Sequence, residues 1–122
     1  MSKPTILVAE DNDSNFLLVN AILKKYANIV RAVNGLEAVN AVKKAKNDLV
    51  LMDIRMPIMD GLEATTEIRK LDPDIPIVAL TANAFDSDRE RALAAGCNDF
   101  IAKPIRKSDL LDLVQKWTGA EF

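Results

Sequence analysis

Histidine is absent from this chain of 122 residues, which rules out histidine-based catalytic triads and histidine-ligated zinc. Cysteine occurs once, as Cys97, so no internal disulfide can form, in keeping with a reducing compartment. No apolar run approaches the ~20 residues a membrane helix needs, and the first residues read as a short polar lead into a strand, without the long apolar stretch expected of a secretory signal. Basic clusters are also missing, and a net charge of −2 gives no expectation of a nucleic-acid surface. Carboxylates, hydroxyls and lysine are therefore left to carry any chemistry. The length suits one domain, 1–122 with a core of about 4–118, and is too short for two. A hydrophobic share of 49% and a charged share of 28% are those of an ordinary soluble globule, and a cytoplasmic setting without direct membrane contact is expected.

Five short apolar runs stand out: 5–9, 29–32, 49–52, 76–80 and 99–102. Most are continuous rather than alternating, as strands buried on both faces are. Helical periodicity fills the intervals, clearest in Leu110, Leu113, Val114 and Trp117 at i, i+3, i+4 and i+7. Asn34 with Glu37, Asp60 with Glu63 and Ser87 with Glu90 have capping-box spacing at helix starts. Gly96 stands where a left-handed cap would end the fourth helix, and Asp72-Pro73 closes the third. The pattern is (βα)₅. Strands alternating with helices through right-handed crossovers make a parallel sheet covered on both sides.

In such a fold the carboxyl ends of the strands share one edge, where ligands bind. Glu10 and Asp11 follow the first strand, Asp53 the third and Lys103 the fifth, while Thr81 ends the fourth. Two carboxylates about 4 Å apart repel by ~4 kcal/mol at an effective dielectric of 20, so the cluster calls for a cation. Few carboxylates plus water and phosphate oxygens is the Mg²⁺ pattern. A carboxylate can attack phosphorus to give an aspartyl phosphate, and phosphoryl transfer needs neutralised equatorial oxygens. Asp53, ending the most central run, is the candidate nucleophile, with Lys103 and the Thr81 hydroxyl on the phosphoryl oxygens.

The segments Ile6–Asp11, Asn34–Ala38, Leu51–Gly61, Ala79–Ala82 and Lys103-Pro104 together resemble the bacterial response-regulator receiver family across nearly the whole chain. The resemblance implies a flavodoxin-like three-layer sandwich with a five-stranded parallel sheet of order 2-1-3-4-5. By position it makes Asp53 the phosphoacceptor, and Glu10, Asp11 and the backbone carbonyl of Arg55 join Asp53 on Mg²⁺. Thr81 becomes the mobile hydroxyl, Phe100 the aromatic switch, and Lys103-Pro104 a cis peptide. Arg55 and Asn83, two residues beyond Asp53 and Thr81, take the positions that tune hydrolysis, and imply a phosphorylated state lasting minutes to hours.

The implied partners are a histidine kinase or a histidine phosphotransfer domain, recognised by the first helix around Asn15, Phe16, Val19 and Asn20. Residues 82–85 and 94–99 look most like receivers attached to hybrid sensor histidine kinases, so the chain is either such a domain or a stand-alone protein. The fourth helix, rich in alanine, has few large anchors, so with the fifth strand and fifth helix it forms the expected switch face. The charge run 86–91 is expected to be a solvated face.

Three other functions compete. A docking module that has lost phosphorylation would not need the acidic pair, Asp53, Thr81 and Lys103 together. A flavin carrier needs a phosphate loop after the first strand, where Glu10-Asp11-Asn12-Asp13 would repel phosphate. A phosphohydrolase of the haloacid dehalogenase type places a carboxylate two residues after its nucleophile, where this chain has Arg55. Self-phosphorylation and slow self-dephosphorylation, without turnover of an external substrate, are the expected activity.

Overall fold

A computed structural model describes residues 3–82 and 87–122. The chain alternates β1 (Thr5–Ala9), α1 (Asp13–Leu23), β2 (Asn28–Ala32), α2 (Gly35–Lys44), β3 (Leu49–Asp53), α3 (Gly61–Leu71), β4 (Ile77–Thr81), α4 (Ser87–Ala95), β5 (Asp99–Ala102) and α5 (Lys107–Thr118). The strands form one sheet in the order β2-β1-β3-β4-β5, every pair parallel, as the resemblance implied. Ala9 lies level with Ala32 and Met52, Asp53 with Leu80, and Thr81 with Ala102. The carboxyl ends thus make a single rim.

Successive strand residues point to opposite faces, and both faces are covered. Leu7, Val50, Met52 and Ile77 pack with Ala38 of α2, Ile68 of α3 and Ala92 of α4. Ile6, Val8, Leu51 and Leu80 pack with Val19 and Leu23 of α1 and with Leu110 and Val114 of α5. Two apolar layers around one sheet are the reason the strand runs are continuous.

The helix ends follow local chemistry. Asn34 Oδ1 accepts the Glu37 N–H at 2.8 Å, and Asp60 Oδ1 accepts that of Glu63 at 2.8 Å. Glu37 reaches back to the Val33 N–H at 3.0 Å, one residue before the cap where a capping box would bond. Ser87 lies within α4 rather than capping it, and residues 83–86 before it lie outside the described ones. Gly96, at φ 118°, ends α4 as expected. Its N–H donates to Leu93 O and that of Cys97 to Ala92 O, the paired bonds of a Schellman motif. β4 starts at Ile77 rather than at Pro76, which has no N–H to donate and lends its carbonyl to Val50 N–H at 2.9 Å. Among the described residues, no helix is long and apolar enough to cross a membrane.

Candidate functional site

The rim side chains are placed by the chain's own turns. Glu10 continues beside β2, its N–H on Ala32 O at 2.9 Å, and Asn12 then caps α1 by accepting the Asn15 N–H at 2.9 Å. Glu10 and Asp11 sit in the two-residue bend between these anchors. Arg31, on edge strand β2, holds that bend from outside: its guanidinium donates to Glu10 O at 3.2 and 3.1 Å and to Asp13 Oδ1 at 2.8 Å. Asp53 ends β3, and Gly61 lies against its carbonyl so closely that a Cβ there would overlap the oxygen. Thr81 ends β4 and accepts the Lys103 N–H at 2.7 Å, and the Lys103-Pro104 bond is cis.

These turns bring together the residues the strand ends predicted. Glu10, Asp11 and Asp53 each offer a carboxylate oxygen within 4.8 Å of the others, with Glu10 and Asp53 buried and Asp11 exposed. Lys103 Nζ bridges the buried pair, 2.8 Å from Glu10 Oε1 and 3.2 Å from Asp53 Oδ2. Burial raises the Asp53 carboxyl from its ordinary 3.8 to about 7, helped by a hydrogen bond and repulsion from Glu10 and opposed by Lys103. Burial also works against ionised Glu10, but hydrogen bonds with Asp53 and Lys103 and the lysine charge outweigh it and hold this carboxyl below its ordinary value. Lys103, despite burial, is held above its usual range by the two carboxylates.

One ammonium thus faces three acidic side chains, and Asp53 ionises only at the cost of closely apposed negative charge. A divalent cation on Glu10, Asp11 and Asp53 fits this donor set, all hard oxygen. Beside it, Thr81 Oγ1 is a buried polar atom with no hydrogen-bond partner among the described residues. A buried hydroxyl in that state has an unused capacity to donate a hydrogen bond.

The response regulator receiver domain family matches residues 6–115. This chain is a member of that family. It is 43% identical over 122 residues to sensor protein GacS of Pseudomonas syringae pv. syringae, a match covering 95% of this chain and 14% of GacS. The crystal structure of the receiver domain of sensor histidine kinase PA1611 from Pseudomonas aeruginosa PAO1, with a magnesium ion coordinated in its active site cleft, is 38% identical. It superposes with a TM-score of 0.91 over 98% of this chain and 100% of that one. The Saccharomyces cerevisiae receiver domain of Ssk1, crystallised with the histidine phosphotransfer protein Ypd1, gives 0.90 at 32% identity, covering 96% of this chain and 90% of that one.

Around this receiver's pocket, the structure adds a partner to Arg55 and departs from the sequence reading at the charge run 86–91. Arg55 donates its backbone N–H to Asp53 Oδ1 at 3.2 Å, but its guanidinium pairs with Asp88 Oδ2 of α4 at 2.9 Å. Asp88 itself is buried, so the run 86–91 is not simply a solvated face. Its position four residues before buried Ala92 was the available signal, since the two share one helix face. On α1, Val19 is fully buried, while Phe16 is half-buried against the core with the Arg31 guanidinium 4.5 Å from its ring centre; the exposed apolar residues there are Leu17 and Leu18. Arg31 was missed because nothing local marks it, whereas Asn12, just before the α1 periodicity, carried the local signal of an N-cap that the reading left unused. Phe100 is half-buried, with the Arg89 guanidinium 4.7 Å from its ring centre. Asn83 lies outside the described residues.

Proposed function

We propose that this receiver domain, 1–122 with its core at about 4–118, is the phosphoacceptor of a two-component phosphorelay, with Asp53 taking a phosphoryl group from a partner's phosphohistidine. The observation that carries the reading is the rim itself. A buried carboxylate lies within a three-carboxylate cluster, against a lysine, one strand away from a buried hydroxyl with no partner among the described residues.

An Asp53 oxygen attacks phosphorus as the P–N bond breaks, and the imidazole leaves with the bonding pair and takes up a proton. Glu10, Asp11 and Asp53, with the backbone carbonyl of Arg55, would hold Mg²⁺, which would neutralise charge on the phosphoryl oxygens. Lys103, already on Asp53, pairs with a second oxygen, and Thr81 Oγ1 donates to a third. Thr81 then links the phosphoryl group to Phe100 and to the face of α4, β5 and α5. Arg55 and Asn83 tune the lifetime, set at minutes to hours, and the domain turns over no external substrate.

The chain spans about 14% of the length of GacS, one of the relatives it matches. Likeness to receivers of sensor kinases supports attachment in cis to a hybrid histidine kinase, and likeness to the Ssk1 receiver supports a histidine phosphotransfer partner. A cytoplasmic setting suits both partners and the single buried thiol.

Incubation with a small-molecule phosphodonor and Mg²⁺, followed by intact mass, tests the reading. A phosphoryl adduct that requires Mg²⁺ and is absent in Asp53→Asn is expected. No adduct from the donor or from a phosphorylated histidine partner would leave a phosphorylation-independent docking module.

A further inference from the structure

Asp88 is a carboxylate buried in the first turn of α4, and two arginines are among the groups that meet it. Arg55 Nη2 lies 2.9 Å from Oδ2 and Arg91 Nη2 3.7 Å from Oδ1. The pair with Arg55 joins the residue two beyond Asp53 to α4, whose only other buried residue is Ala92. Its two ends are unequal: the Arg55 side chain is 70% exposed and that of Asp88 5%. Arg55 can therefore move and Asp88 cannot. A cleft of about 380 Å³ lined by Asp11, Arg55 and Arg91 lies beside the pair and gives the guanidinium room on the side of the acidic cluster.

We propose that Asp88 is a positioning residue for the phosphoryl site: it holds the Arg55 guanidinium on α4, and a phosphoryl group on Asp53 competes for it. This rests on the phosphoacceptor reading. A phosphoryl group brings strong acceptor oxygens within a few bonds of the Arg55 backbone, and a guanidinium pairs with phosphate as readily as with carboxylate. Transfer of Arg55 leaves Asp88 next to Arg91, so the buried carboxylate keeps a cation beside it. It also removes a tie between the β3–α3 loop and α4, a helix with little apolar area holding it. Arg55 thus exchanges a contact that restrains α4 for one that covers the phosphoryl group.

The full chain, as wild type, Asp88→Asn, Arg55→Gln and the double variant, is titrated with beryllium trifluoride in saturating Mg²⁺. Asp88→Asn is expected to tighten binding about fivefold and Arg55→Gln to weaken it, with Asp88→Asn having no effect once Arg55 is gone. An equal effect of Asp88→Asn with and without Arg55 would reduce Asp88 to a structural role and overturn the inference. Amide exchange across 88–95 gives a second measure that does not depend on replacing Asp88. Binding of the analogue should speed exchange in the wild type, whereas Arg55→Gln should be fast beforehand and change no further. Exchange in free Arg55→Gln equal to that of the wild type would also overturn it. A wild type that neither binds the analogue nor takes up a phosphoryl group in Mg²⁺ would remove the phosphoacceptor reading, and this inference with it.

Discussion

Helices α4 and α5 cover opposite faces of one sheet, and they are held to it by different physical means. α5 buries Leu110 and Val114 completely, packs Leu111, Leu113 and Trp117 against the same core, and ties Trp117 Nε1 to Asp99 at 3.1 Å. Each fully buried leucine is worth about 1.5–3 kcal/mol of transfer free energy, which no nearby charge alters. α4 offers Ala92 to the core and leaves Leu93 exposed; what ties it to the rim is Arg55 on Asp88, with Arg89 over Phe100 on β5. Apolar area is indifferent to chemistry at Asp53, whereas ion pairs a short distance from it are not. A domain that must report a change of charge needs a helix of the second kind, and needs the rest of the core to be of the first.

The difference can be tested by substitution, beginning where the effect is largest. Leu110→Ala should cost about 3 kcal/mol in denaturant unfolding, by the same amount with and without Mg²⁺. A cost that changed with the metal would mean that α5 also senses the site.

Lys103→Met removes the ammonium from between Glu10 and Asp53 and should cost about 2 kcal/mol without divalent cation. Most of that loss should return in saturating Mg²⁺, as measured by the denaturation midpoint. A loss that Mg²⁺ left untouched would show that the lysine stabilises by packing rather than by charge.

Stability should also depend on pH through Asp53. Its carboxyl titrates at about 7 in the folded chain against an ordinary 3.8, so between those values the folded state binds more protons than the unfolded. The sign is then fixed: without divalent cation, this group's contribution falls as pH rises from about 4 to 7. Glu10, held below its ordinary 4.5, acts in the opposite sense only beneath that value. Thermal melts across this range should show the fall in the wild type and lose it in Asp53→Asn. Mg²⁺ should reverse it by favouring the ionised cluster.

Thr81→Val should have the smallest effect on stability. The hydroxyl it removes is buried without a partner among the described residues, so the variant should be neutral or more stable by up to ~1 kcal/mol. Yet it should weaken the response of α4 to a phosphoryl analogue, read by amide exchange over 88–95. A clear loss of stability would mean the hydroxyl is satisfied in the resting protein.

Much of this could be read in advance because the relevant rules are local. Continuous apolar runs of four or five residues, the caps at Asn34 and Asp60, Gly96 past the end of α4 and Pro73 past the end of α3 each act within a few residues. The rim residues Glu10, Asp11, Asp53, Thr81 and Lys103 could be gathered because a parallel sheet sends every strand's carboxyl end to one edge. Asp88 was misread for a different reason. A charge run is a solvated face unless a partner comes from elsewhere, and Arg55 is 33 residues away in the chain. Arg31 escaped likewise: its bonds to the Glu10 carbonyl exist only because β2 lies beside β1.

The sequence by itself determined the alternation of strands and helices, the two-sided burial of the sheet and the set of polar residues at its rim. These follow from side-chain periodicity and backbone chemistry over short stretches. Tertiary structure alone decided that Lys103 bridges Glu10 and Asp53, that Asp53 is raised while Glu10 is lowered, and that Arg55 lies on Asp88. Electrostatic energies depend on distances of a few ångströms and on how much water is excluded. Neither quantity exists until strands far apart in the chain have been laid side by side.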